Sequence, residues 1–292
     1  MTLHFLRKGL RMNKFIDLHT HSTCSDGTLT PEEVVKLAAE SGLCAIALTD
    51  HDTVDGLAQA VEAGKKYGIE VLTGIEFSVA SDTEMHLLGI DFKEECPEIT
   101  SILDEMIVQR EKRNYEVIAL LEKIGIHITI EDILEQSTSK VTGRSQIAKA
   151  MMKKGYVSTI KEAFDNYLAF GKPAFVPRST LTPEQAIEII RKSGGKSFLA
   201  HLNQTGKTDE ELYEILAHLK NCGLDGIEGY YTEYTEEMNI KFRKMADDIG
   251  LLLSGGSDFH GANKDNHNIG TGRGNLAIPY ELIEKMRKKS AQ

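Results

Sequence analysis

Residues 16–34 read IDLHTHSTCSDGTLTPEEV. The apolar lead-in at 15–18 predicts a short strand. Thr30-Pro31-Glu32-Glu33 predicts a helix start, with a capping hydroxyl, proline at the first helical position and acids in the first turn. Between the two lies a loop carrying His19, His21 and Asp26. A strand that passes to a helix through a loop of ligand-type side chains is one β/α unit. The helix gathers Val34, Val35, Leu37 and Ala38 on one face, and Gly42 stops it.

Working outward, the same unit recurs. Strands are predicted over 44–48, 71–75, 85–90, 197–200, 225–227 and 251–253, with helices over 54–67, 183–192, 209–221, 236–248 and 279–288. Seven strands alternating with helices predict an α/β fold, a parallel sheet closed into a barrel. Six of the ten histidines fall at the ends of these strands, among carboxylates: His19 and His21 with Asp26, His51 between Asp50 and Asp52, then Glu76, His86, His201, and Asp258 with His260. The active site of a β/α barrel is built at the carboxyl ends of its strands, so these distant residues are expected to meet at one mouth. Imidazole and carboxylate together suit Zn, Mn and Fe. The donors outnumber what one four-coordinate ion needs, which predicts a multinuclear catalytic site.

The bounds agree with a soluble enzyme. The chain has 292 residues, enough for a large core, and no apolar run approaches the ~20 residues of a membrane span. Its opening, MTLHFLRKGLR, is basic but has neither a sustained apolar segment nor a small-residue cleavage site, so it reads as a poor signal peptide. Cys24, Cys44, Cys96 and Cys222 form no CxxC pair and read as free thiols in a reducing cytoplasm. A net charge of −10 argues against broad nucleic-acid binding but not against a cationic pocket for a phosphorylated ligand.

Four stretches, IDLHTHSTCSDGTLTPEEV, ALTDHDTV, GIEFS and GGSDFH, occur in this order and closely resemble the PHP (polymerase and histidinol phosphatase) superfamily. The resemblance runs from about residue 14 to the last helix and implies a distorted seven-stranded β/α barrel with two or three divalent ions of the Mn, Fe or Zn type. It implies that His19, His21, Glu76 and Asp258 hold one ion. Glu76 then bridges to a second ion bound by His86 and His201, and Asp26, His51 and His260 hold a third. Asp17, Asp50 and Asp52 are expected to orient the imidazoles. One departure is Ala200-His201-Leu202, where many members have proline after the histidine.

The gap between Phe92 and Ser197 is too long for a barrel connection and predicts an inserted helical subdomain at 96–180, between barrel parts at 12–95 and 181–292. Its helices are expected over 97–123, 131–136, 144–154 and 160–169, hanging over the mouth. Arg144 opens one of them, and Arg178 lies on the return to the barrel. Free N–H groups at a helix start and a guanidinium fork both suit phosphate, although an isolated arginine more often pairs on the surface. The stretch from Gly143 to Arg178 looks like the insertion of the PHP branch that hydrolyses nucleoside 3′,5′-bisphosphates, some members of which also degrade short RNA from the 5′ end. That resemblance implies a phosphate grip by Arg144 and Arg178.

The expected activity is metal-dependent hydrolysis of the 3′-phosphate of a nucleoside 3′,5′-bisphosphate, with short 5′-phosphorylated RNA as a second substrate. Asp258 and His260 are the candidate catalytic residues, and no activated Ser or Cys motif calls for a covalent intermediate. Neither a DNA-binding module nor a membrane partner is expected. Two other readings use the same ligands: a histidinol-phosphate-type phosphomonoesterase, and a noncatalytic metal-binding or regulatory module. His267 lies near the terminal loop, Glu228 is expected behind the ligands, and Tyr230, Tyr231 and Tyr234 suit either core packing or base stacking.

Overall fold

The computed structural model describes residues 14–136, 142–169, 171–176 and 181–289. Seven strands form one sheet in sequence order: β1 (Ile16–Asp17), β2 (Ala45–Leu48), β3 (Glu70–Ser78), β4 (His86–Ile90), β5 (Lys196–Leu199), β6 (Gly226–Tyr231) and β7 (Leu252–Gly256). β1 to β3 run parallel, and so do β5 to β7. β1 and β7 meet through isolated contacts, Leu18 N–H to Gly255 O at 3.0 Å and a bridge between Thr20 and Phe259, so the barrel is nearly closed. At this seam a side chain on Gly256 would lie 2.2 Å from His19 Cβ, which is why glycine stands there.

The all-parallel expectation fails at β4, which is antiparallel to both β3 and β5. Residues 79–85 alone connect β3 to β4, whereas a parallel crossover needs a dozen or more. The reversal decides where His86 sits. His86 begins β4 rather than ending it, and it pairs with Ser78 at the carboxyl end of β3. The start of a reversed strand lies at the same barrel end as the finish of its neighbours.

Helices α1 (Pro31–Glu40) and α2 (Leu57–Tyr67) flank β1 to β3, and α8 (Asp209–Asn221) and α9 (Glu236–Ile249) flank β5 to β7. α1 starts as its sequence predicts: Thr30 Oγ1 accepts from Glu33 N–H at 3.3 Å, and Glu33 Oε2 takes Thr30 N–H at 2.8 Å. Its buried face is Val34, Val35 and Ala38, packed on the outside of the sheet. Strand alternation divides the barrel. Ile46, Ile75, Leu87, Leu199 and Ile227 face the helices, while Ala45, Leu72, Leu88, Ile90 and Phe198 fill the interior. The last helix, α10 (Glu281–Lys289), adds Leu282, Ile283 and Met286 to that interior cluster.

β4 ends, and β5 begins, at the barrel end opposite the mouth, so the long connection between them must climb to reach the mouth. α3 (Pro97–Lys123) makes the climb, spanning about 40 Å at 1.5 Å per residue. Its first half packs Ile99, Leu103 and Met106 into the helix layer around the barrel. Its second half packs Val117 and Leu121 into a separate cluster with Ile133, Ile147, Met151 and Leu168. That cluster unites α4 (Ile130–Leu134), α5 (Arg144–Lys153), α6 (Ile160–Ala163) and the π-helical turn Phe164–Leu168. The chain returns at Leu181, which bridges Val79 beside the mouth, and α7 (Pro183–Lys192) descends to β5. The insertion is helical as expected, but the first half of α3 belongs to the barrel wall.

Candidate metal centre

Period-two alternation aims three acidic or imidazole side chains inward near the mouth. Glu76 has the parity of the interior residue Leu72, His86 that of Leu88 and Ile90, and Glu228 lies between the outward Ile227 and Gly229. Glu76 and Glu228 therefore lie within β3 and β6, not after them as the shorter predicted strands implied. The other site residues stand on loops at the same barrel end: His19, His21 and Asp26 after β1, His51 after β2, His201 after β5, and Asp258 and His260 after β7. Asp52, His201 and Asp258 have positive φ, at 49°, 25° and 53°. Each such backbone costs about 1–3 kcal/mol and persists only where the surroundings hold it.

Glu76 is the hub. Its Oε2 lies 3.2 Å from His19 Nε2, 3.2 Å from His21 Nε2 and 3.1 Å from His51 Nδ1. Its Oε1 lies 2.8 Å from His86 Nδ1 and 2.9 Å from His201 Nε2. Asp258 Oδ1 completes a group with His19 Nε2 at 3.6 Å and His21 Nε2 at 3.4 Å. On the outer side, Asp26 Oδ1 is 3.2 Å from His260 Nε2, and Asp26 Oδ2 is 3.9 Å from His51 Nε2. The fold thus brings together all nine residues that the sequence singled out as metal ligands. His51 faces both ways, toward Glu76 through one nitrogen and toward Asp26 through the other.

The donor atoms fit cations better than they fit one another. His19 Nε2, both ring nitrogens of His21, His51 Nδ1, Glu76 Oε2 and His201 Nδ1 are buried with no hydrogen-bond partner among the described residues. An unsatisfied buried polar atom costs about 1–3 kcal/mol. Separations of 3.1–3.6 Å without hydrogen-bond geometry are those of ligands sharing an ion at about 2.0–2.2 Å. His21–Asp26–His51–His260, His19–His21–Glu76 and His51–Glu76–His86 each converge closely enough to hold a metal ion.

Electrostatics says the same in terms of protons. Burial opposes charge on His21, but the adjacent carboxylates of Asp258 and Glu76 outweigh it and raise its pKa to about 9. His19 is raised well above the imidazole range against burial, by Glu76, Glu228 and Asp258. Glu76 and Asp258 are held well below the carboxylate range despite their burial, by the surrounding imidazoles. His51, by contrast, is driven by burial down to about 3, and burial together with His21 lowers His260. Carboxylates this deep demand positive charge, and where no cation supplies it, protons on His19 and His21 do.

Glu228 lies behind the ligands, as expected: its Oε1 is 2.9 Å from His19 Nδ1, and its Oε2 accepts from His201 N–H at 2.8 Å. Asp17 and Asp50 do something other than orient imidazoles. Asp17 takes the N–H groups of Ser257 and Gly270 at 2.9 and 2.7 Å, pinning two loops of the mouth. Asp50 takes Ser22 N–H at 2.7 Å and the hydroxyls of Ser22 and Ser25, both at 2.6 Å. Asp52 accepts from Ser78 N–H at 2.9 Å and pairs with Arg110 of α3. Tyr231 and Tyr234 are buried, so they pack in the core rather than offering rings to a base. The departure at Leu202 has a use: its N–H, which proline would lack, donates to Tyr234 Oη at 2.8 Å.

Three contacts at the mouth have no counterpart among the sequence expectations. Lys264 Nζ donates to Asp258 Oδ2 at 2.5 Å, Tyr231 Oη donates to the same oxygen at 3.0 Å, and Arg110 reaches Asp52. Nothing local marks a loop lysine or a mid-helix arginine as part of a distant mouth. His267 is buried at the rim, its Nδ1 3.1 Å from Ser257 O. One turn along α3 from Arg110, Asn114 Nδ2 donates to Thr142 Oγ1 at 2.9 Å, which brings the start of α5 beside the mouth-facing part of α3. Arg144 begins α5, half-buried, over the Phe175 ring at 5.7 Å, with Nη1 donating to Leu168 O at 3.4 Å. Among the described residues no carboxylate pairs with it, and burial alone lowers its pKa. Arg178 lies outside the described residues.

Among known proteins, the chain is 36% identical over 250 residues to a 5′-3′ exoribonuclease of Haemophilus influenzae, covering 85% of this chain and 91% of that one. It is 31% identical over 257 residues to a 3′,5′-nucleoside bisphosphate phosphatase of Chromobacterium violaceum, covering 87% and 90%. Its fold matches the structure of an amidohydrolase from Chromobacterium violaceum, with sulfate bound and no metal, at a TM-score of 0.78 and 30% identity, covering 92% and 96%. The PHP domain family matches residues 17–238, from β1 into α9. The match takes in seven of the nine clustered residues, and the chain belongs to the PHP domain family.

Proposed function

We propose that this phosphoesterase removes the 3′-phosphate from nucleoside 3′,5′-bisphosphates, and that it also trims short 5′-phosphorylated RNA from the 5′ end. The observation that carries the reading is the convergence of six imidazoles with Asp26, Glu76 and Asp258 on one mouth, with six of their buried donor atoms lacking a hydrogen-bond partner among the described residues. In this reading His19, His21, Glu76 and Asp258 hold one ion, Glu76, His86 and His201 a second, and Asp26, His51 and His260 a third. When bound, Mn, Fe or Zn ions acidify water and neutralise charge on phosphoryl oxygens.

The chain's own residues supply position and polarity. Glu228 fixes the ring of His19, and Asp17 fixes the loop that carries Asp258. Lys264 brings a cation beside Asp258, within reach of a phosphoryl group that approaches that carboxylate. Burial and His21 lower the pKa of His260, which suits a ligand better than a proton donor to the leaving ribose oxygen. The helical unit built on the second half of α3 limits access, and Arg144 and Arg178 grip the phosphate that does not react. The names of the Haemophilus and Chromobacterium relatives support both substrate classes.

The test is a comparison of catalytic efficiencies on adenosine 3′,5′-bisphosphate, a short 5′-phosphorylated oligoribonucleotide and histidinol phosphate, with the metal-loaded protein. The bisphosphate should release inorganic phosphate and leave a 5′-mononucleotide. Preference for histidinol phosphate would overturn the substrate assignment and leave the metal centre intact.

A further inference from the structure

A second set of donor atoms converges on the outer surface, between α7 and α8. Glu184, in the first turn of α7, places Oε1 2.9 Å from His218 Nε2. Cys222, the residue that ends α8, places Sγ 3.8 Å from the same nitrogen. All three donor atoms lie within 4.8 Å of one another, and Cys222 is a free thiol. His218 and Cys222 stand four residues apart and so share one face of the helix. The side chains of His218 and Glu184 are 62% and 42% exposed, which leaves an open path from solvent.

We propose that Glu184, His218 and Cys222 form a binding site for a borderline divalent cation such as zinc, separate from the centre in the barrel mouth. Nitrogen, oxygen and sulfur are the donors zinc takes in tetrahedral sites. Its bond lengths require N···O and N···S edges of about 3.4 and 3.6 Å. The observed 2.9 and 3.8 Å flank these values, so slight side-chain rotation seats an ion, with solvent as the fourth ligand. An exposed Glu–His pair by itself is worth little and gives no reason for a thiol on the same nitrogen. The carboxyl end of α8 also favours a cation. Thiolate ligation selects zinc or cadmium over magnesium or calcium, and the thiol proton leaves to solvent on binding. The ion would clamp α7 to α8, the helices on either side of β5 in the chain.

Cadmium is the probe, because sulfur-to-cadmium charge transfer absorbs in the ultraviolet and none of the nine clustered mouth residues is a thiol. Protein with its barrel centre already metal-loaded should develop the band to about one equivalent of cadmium. Cys222→Ser should abolish it, and Glu184→Gln or His218→Ala should weaken binding by about tenfold or more. Cys24→Ser, which removes the thiol on the loop between His21 and Asp26, should leave the band unchanged. Zinc should raise the thermal midpoint of the wild type but not of Cys222→Ser, and phosphoesterase activity should be the same in both. No band in the wild type, or a band that survives Cys222→Ser, overturns the site.

Discussion

Arg110, midway along α3, forms an ion pair with Asp52, the residue that follows His51 at the barrel mouth. The two side chains are 10% and 1% exposed, so this is a buried pair. It joins the helix that carries the insertion to the backbone of a metal-facing loop, since Asp52 N–H also donates to Glu76 O at 2.9 Å.

Arg110→Ala would take the guanidinium away from the buried Asp52 carboxylate. Stability should fall by about 3–5 kcal/mol, as measured by denaturant unfolding. The double substitution Arg110→Ala with Asp52→Ala should cost clearly less than the sum of the two single changes. Strict additivity would show that the pair does not couple α3 to the mouth.

Glu76 touches five imidazoles and Asp258 three, whereas among the described residues Glu76 is the one carboxylate paired with the His201 ring. Glu76→Gln should therefore remove more than one transition-metal ion per chain, and His201→Ala about one. Elemental analysis of protein purified without chelator checks this. A full metal complement in Glu76→Gln would contradict the bridging role, as would full activity after exhaustive chelation.

Metal uptake should release protons. In the metal-free protein His21 titrates near 9 and His19 is raised as well, so at neutral pH both hold protons that a metal must displace. His51, driven down to about 3, has none to give at neutral pH. Because raised groups lose their protons only as pH climbs, apparent affinity should increase as pH rises from neutrality through the region near 9 where His21 gives up its proton. Calorimetric titration in buffers of different ionisation enthalpy measures the release directly. Binding that is independent of pH would refute it.

Arg144→Ala should leave metal content unchanged. Use of adenosine 3′,5′-bisphosphate should weaken by about 2–5 kcal/mol in kcat/KM, and p-nitrophenyl phosphate should suffer much less. Arg144 also bonds Leu168 O, so an equal loss on both substrates would assign it to holding the insertion together.

Much of this protein is legible in its sequence. Capping chemistry marks the start of α1, whereas the inward aim of Glu76 and Glu228 emerges only once β3 and β6 are seen to run longer than their predicted strands. The ligand set is legible because imidazoles and carboxylates are costly to bury without a purpose, so their recurrence at strand ends carries information residue by residue. Chain direction at β4 follows from the 79–85 link, too short for a parallel crossover, although the alternation of strands and helices alone implies a parallel strand. Only the tertiary structure decided that Arg110 meets Asp52, that Lys264 and Tyr231 share an oxygen of Asp258, and that the first half of α3 is barrel wall. Local sequence encodes backbone preference and the inward or outward sense of a side chain. Which distant side chains meet depends on strand order, helix length and loop course, and these are settled only when the whole core packs at once.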